Sequence, residues 1–322
     1  MENNILSVIV CTYNPNLEIL NRVILSLKSQ TLQSEHWELI VIDNNSTEPL
    51  DTKLDLNWHP NSKIIIEKNQ GLALARIRGV KESANEFIVF IDDDNVANNE
   101  YLNNSLQLFT KYESVGLFGG KALPNYLEHT PADWIKGYIG LLGCRDLGEK
   151  ELISTIEDKK VDEYPYFSPI GTGMCIRKKV FLTYLNEIEN SNFRKNLGRK
   201  GAALTSGEDN DIVITALKSG WQVGYFPQLL IEHIIPEKRT TKEYLGKMNQ
   251  AQNKSWIQLL LFHAICPWSQ IPKWSVPLRK SKAFFTYKAW TNQEAFIKWK
   301  GACGLYEGLG IEITKESYFF SI

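Results

Sequence analysis

The chain has 322 residues, 43% of them hydrophobic and 23% charged, enough to bury one large core and a smaller appendage. Its formal net charge of −1, with no block of like charge, leaves no global field to draw nucleic acid and disfavours that class of partner. The five cysteines, Cys11, Cys144, Cys175, Cys266 and Cys303, are scattered without paired metal-ligand spacing and read as buried thiols of a reducing compartment.

Met1-Glu2-Asn3-Asn4 leads into a strand pattern without a basic flank or a long apolar segment, which predicts no signal peptide and a cytosolic protein. Ile5 to Cys11 reads as a buried strand and Thr12 to Pro15 as a turn, with Asn14 as helix cap and Pro15 as first helical residue. Leu17, Leu20, Ile24 and Leu27 then recur at helical spacing up to Gln30. Trp37 to Ile42 is the next strand, ending in Asp43-Asn44-Asn45-Ser46; Lys63 to Glu67 is a third, and Gly71 to Ser83 a helix. The fourth strand, Phe87 to Ile91, closes on Asp92-Asp93-Asp94. This alternation predicts an α/β fold with a mostly parallel central sheet flanked by helices. Ligands of such sheets bind beyond the strand carboxyl ends, and Thr12, Asp43 and the aspartate run each lie at one, so three segments point into one crevice.

Clustered carboxylates at a strand end suit a hard divalent cation that shares phosphate oxygens, although Asp also favours plain turns. A second acidic cluster, Gly207-Glu208-Asp209-Asn210-Asp211, precedes a short helix that stops at Gly220. Asp209 or Asn210 would serve there as a cap, but one cap does not need so many acids. Carboxylates for a cation and a separate carboxylate for a proton are what a metal-held phosphate leaving group and a general base require. The longest apolar stretch, Trp256 to Trp268, is interrupted by Gln258 and His263 and is too short to span a bilayer. From about Pro236 onward Lys, Arg, Trp, Tyr and Phe accumulate, which predicts a catalytic domain over 1–235 and a helical C-terminal region over 236–322. Its interleaved cations and aromatics fit either packing within the protein or peripheral contact with the inner face of a membrane.

Taken in order, these motifs resemble those of the inverting glycosyltransferases of family 2, which have the GT-A nucleotide-sugar-binding fold. Ser7 to Asn14 is similar to the opening strand and turn of that family, which implies that Thr12, Tyr13 and Asn14 contact base and ribose. Glu38 to Ser46 resembles the second motif, with Asp43 on the base, and Asn69 to Arg76 the third, with Gly71 and Arg76 near the nucleotide. The aspartate run then corresponds to the DXD-type motif, with Asp92 toward the ribose, Asp93 also at the nucleotide and Asp94 on the metal, Mn2+ or Mg2+. Glu208-Asp209 resembles the ED motif, which implies Asp209 as catalytic base beside Glu208. His233, after the last core strand, is expected at the metal or diphosphate, with Arg239 as a cationic clamp. The resemblance spans about residues 5 to 240.

Two departures stand out. Ile77 replaces the Asn that often follows the third-motif arginine, and Gly171-Thr172-Gly173-Met174 replaces a Gly-Gly-Asn-Met type of sequence. Gly173 and Met174 are carried over as acceptor contacts, although two glycines also suit a tight turn. Trp134, in a polar setting before Gly137, is the tryptophan best suited to stack on an acceptor sugar; Trp221 reads as core. The expected partners are a nucleotide-sugar donor, a UDP-sugar in first place, and a saccharide or lipid-linked saccharide acceptor. A sugar nucleotidyltransferase would carry a Gly-rich, Arg-containing loop after the first strand, where this chain has Cys11 to Pro15. A non-catalytic nucleotide-sugar-binding protein would have lost one of the acid clusters, and both are intact. No GxGxxG follows a predicted strand, which excludes a dinucleotide oxidoreductase. The assignment requires the acids near 93 and those near 209 to share one pocket.

Overall fold

The computed structural model describes residues 5–155, 164–189, 191–199 and 206–311. The chain forms two units. The first comprises Met1–Asn125, Gly143–Glu187 and Ile212–Ile234. In it β1 (Leu6–Thr12) and β2 (Trp37–Asp43) are buried at every position, as strands covered on both faces must be. Between them α1 (Leu17–Lys28) turns Leu20, Val23, Ile24 and Leu27 inward. Its cap is Asn16 rather than the expected Asn14: the Asn16 side chain accepts the backbone N–H groups of Glu18 and Ile19 at 3.0 and 3.4 Å. Asn14 has a positive φ of 46° and its side chain accepts from Thr47 N–H at 2.8 Å, so it shapes the turn instead.

β3 (Ser62–Ile66), α2 (Leu72–Glu82) and β4 (Phe87–Asp92) follow within a residue or two of the expected bounds. Next come β5 (Asn95–Ala97), α3 (Tyr101–Lys111), β6 (Val115–Asn125), β7 (Leu152–Ile153), β8 (Cys175–Arg177) and α4 (Lys178–Ile188). α5 (Asn192–Lys195) belongs to the second unit, α6 (Glu208–Lys218) crosses the division between Asp211 and Ile212, and β9 (Gln222–Ile234) returns to the first. The sheet order is β3-β2-β1-β4-β8-β6-β9-β5, with β7 on β9. β3, β2, β1 and β4 run parallel as predicted. The antiparallel β8 then separates β4 from β6, so the whole sheet is mixed. Three residues are too few to show a period, which is why β8 leaves no mark in the sequence.

The second unit comprises Tyr126–Leu142, Ile188–Asp211 and Ile235–Ile322. It holds 3-10 turns over Asp133–Leu142, then α5, the first turn of α6, α7 (Lys242–Phe262), α8 (Val276–Thr286) and α9 (Gln293–Leu309). α7 and α9 pack backbone against backbone: a Cβ at Gly304 would lie 2.1 Å from the Gln250 carbonyl oxygen. Ile257, Leu260 and Leu309 close the contact. Among the described residues no helix is long and apolar enough to cross a membrane. All five cysteines are free thiols; four are buried and Cys266 is half-buried.

Candidate functional site

Strand register builds the crevice of the first unit. Thr12 pairs with Asp43 across β1 and β2, and Cys11 with Asp92 across β1 and β4, so the last residues of three parallel strands lie side by side. Asn44, just past β2, ties their loops together. Its amide donates to the carbonyls of Glu67 and Asn69 at 3.1 and 2.8 Å, and its side-chain oxygen accepts Gly71 N–H at 2.7 Å. Its own N–H reaches Thr12 O at 2.8 Å. Gly71, with φ 144°, then opens α2. Asp43 is buried and accepts Ser46 N–H at 2.9 Å, while Tyr13 is exposed at the rim.

Arg76, on the buried face of α2, donates through Nη2 to Asp92 Oδ1 at 3.2 Å and to Gly171 O at 3.3 Å, with its guanidinium 5.3 Å from the Phe90 ring centre. Thr12 Oγ1 donates to Asp93. Asp94 accepts from Asn95 Nδ2 at 3.1 Å. Pairing of β5 with β9 sets Asn95 opposite His233, which brings His233 Nε2 to 3.2 Å from Asp94 Oδ1. Burial alone would push this imidazole down, but the charge and hydrogen bond of Asp94, with Cys144 beside Nδ1, raise it to about 10.

Gly173 has φ 68°, and a Cβ there would lie 2.3 Å from Ile231 Cδ1 and 2.6 Å from the Tyr101 hydroxyl, which donates to Gly173 O. Met174 is fully buried and its carbonyl accepts Phe90 N–H at 2.8 Å.

In the second unit, Glu208 and Asp209 open α6, so Asp209 and Asn210 lie inside its first turn and not at its cap. Glu208 is buried and Asp209 half-buried. Asp211, fully buried, accepts from Arg194 Nε at 2.7 Å and meets His263 Nε2 at 2.7 Å. The half-buried Trp134 sits edge-on to Tyr138 at 6.2 Å in the same unit, and Arg239 lies in a 3-10 turn over Glu237–Thr240. Asn44, Asn95 and Cys144 are neighbours of the site that sequence reasoning did not single out. Asn44 and Asn95 each follow a motif aspartate, the one local signal available.

The family model for glycosyl transferase family 2 matches residues 7–185. The chain belongs to that family. The glucosyl-dolichyl phosphate glucuronosyltransferase of Haloferax volcanii is 22% identical over 74% of this chain and 72% of its own length. The dTDP-rhamnosyl transferase RfbF of Shigella flexneri is 28% identical over 56% of each chain. The poly(ribitol-phosphate) beta-N-acetylglucosaminyltransferase TarP of Staphylococcus aureus is 34% identical over 37% of this chain and 39% of its own. Among solved structures, S. aureus TarS 1-349 in complex with UDP aligns with a TM-score of 0.51 and 15% identity, covering 95% of this chain and 90% of that one. This family 2 chain has the GT-A fold, and its activity is glycosyl transfer.

Proposed function

We propose that this glycosyltransferase moves a single sugar from a nucleoside diphosphate sugar to a saccharide or lipid-linked saccharide hydroxyl with inversion at the anomeric carbon. The observation that carries the donor side is the shared rim of Thr12, Asp43, Gly71, Arg76 and Asp92 to Asp94 at the carboxyl ends of β1, β2 and β4. Base and ribose belong on Thr12, Tyr13, Asn14 and Asp43. A UDP-sugar is favoured because Asp43 suits uracil and the similarly folded TarS binds UDP. Acceptor classes follow the names of the relatives, which act on a dolichyl phosphate sugar and on poly(ribitol phosphate).

Asp94 and His233 meet as one carboxylate and one imidazole, a donor pair that fits Mn2+ or Mg2+ when the cation displaces the proton that Asp94 holds on the ring and diphosphate oxygens and water fill the other positions. Among the described residues no group of three or more His, Cys, Asp or Glu side chains could hold a metal, so the cation would need the nucleotide to complete its shell. When bound, it would neutralise the diphosphate as negative charge develops there. Asp92, held by Arg76, would orient the ribose. Asp209 would take the proton from the acceptor hydroxyl as it attacks from the face opposite the leaving group, and Glu208 would orient the acceptor or the base. One displacement suffices, so no covalent nucleophile is required.

Asp209→Asn is expected to lower transfer on the order of 10²- to 10⁴-fold while nucleotide affinity stays nearly unchanged. Turnover is read with the sugar donor that most raises the melting temperature in the presence of manganese. Full turnover by Asp209→Asn would remove the base from the scheme.

A further inference from the structure

The second unit leaves several large apolar side chains exposed, among them Trp290, whose ring also meets Phe284 and Phe285. Trp274 is 74% exposed, Leu278 65%, Phe285 65% and Trp290 58%. Within α8, at 3.6 residues per turn, Leu278 and Phe285 fall about 20° apart with the buried Ala283 on the opposite side, and Trp274 is exposed in the 3-10 turn Lys273–Ser275 just ahead of it. α8 thus turns Ala283 and the half-buried Phe284 inward while Leu278 and Phe285 stay exposed where a globular helix usually places polar residues. Neighbouring aromatics are packed: Trp299 Nε1 donates to Lys280 O at 3.1 Å and its ring meets Phe284 edge-on.

Charge says what this face suits. From Trp268 to Asn292 the chain carries Lys273, Arg279, Lys280, Lys282 and Lys288 and not one Asp or Glu. Lys280 is paired with Glu307 of α9, which leaves the other four cations bordering these apolar side chains. A second copy seated symmetrically on this surface would oppose these cations to themselves, at a cost. An anionic lipid surface offers the complementary charge, and Trp, Phe and Leu are the side chains that enter the headgroup boundary. We infer that α8 and its flanks dock this protein on an anionic bilayer surface, Trp274, Leu278, Phe285 and Trp290 entering the interface and Lys273, Arg279, Lys282 and Lys288 meeting lipid phosphates. The inference rests on exposure and charge alone and is independent of the donor or base assignments.

Sedimentation of the full chain with vesicles tests it. Binding is expected to vesicles of phosphatidylcholine mixed with phosphatidylglycerol, to be far weaker to phosphatidylcholine alone, and to fall as salt rises. Arg279→Gln with Lys282→Gln should weaken it about twenty-fivefold, at roughly fivefold per charge. Trp274→Ser with Phe285→Ser should weaken it at least about tenfold. All four side chains reach the surface, and a melting curve for each variant separates lost binding from lost fold. Equal sedimentation with both lipid mixtures, none with either, or full binding by Trp274→Ser with Phe285→Ser would overturn the inference. So would a wild-type dimer in light scattering that this variant dissociates, since the face would then be covered by another copy.

Discussion

His59 is a buried imidazole with an identifiable electrostatic cost. It packs edge-on against Trp37 and Trp58, its Nδ1 accepts Asn61 N–H at 3.2 Å, and its Nε2 finds no hydrogen-bond partner among the described residues. Burial, only partly offset by Glu35, lowers its pKa to about 4, and protonation at Nδ1 would also break the Asn61 bond. The unfolded chain, with an ordinary value near ~6.5, binds this proton first as pH falls. Stability from this group is therefore complete above pH of about 6.5 and is lost progressively down to about 4, by up to about 3 kcal/mol. Urea midpoints measured across that window should fall more steeply for the wild type than for His59→Gln. Residues that carry charge at strand ends, such as Asp43 and Asp92 to Asp94, are legible in the sequence because an apolar run stops on them. Asn44 is not, because its side-chain partners Glu67, Asn69 and Gly71 lie beyond the next strand, and neither is Asn95, because only strand register sets it opposite His233.

At the scale of elements, the first turn of α6 is fixed by a buried ion cluster. Asp211 is inaccessible, and the Arg194 guanidinium that it holds is nearly so. Asp211→Asn would leave that cation buried without its counter-charge, a change expected to cost about 3–5 kcal/mol and to show as a lowered melting temperature. The acids of this turn are legible as a cluster, but Arg194 and His263, distant in the chain, are not. The parallel frame of β1, β2 and β4 is legible because continuous apolar runs alternate with helical spacing. β8 is not, because its pairing with β4 and β6 depends on long-range contacts that leave no local period. Of the C-terminal aromatics, Phe284 and Trp299 pack on each other, whereas Trp268, Trp274 and Trp290 are exposed.

For the molecule as a whole, the proposed cation site is incomplete without donor, so metal and nucleotide should bind cooperatively. Titration calorimetry is expected to detect little Mn2+ uptake by the free protein and clear uptake with UDP present, and Asp94→Ala should abolish the difference. Equal Mn2+ affinity with and without UDP would place the cation elsewhere. The knot of hydrogen bonds around Asn44 has one more consequence. A rim already stitched to three strand ends has little freedom left to surrender when a ligand arrives, so the amide hydrogens of Asn44 and Gly71 should exchange slowly with heavy water even in the empty protein. Replacing Asn44 by Ala would unpick that seam and speed both.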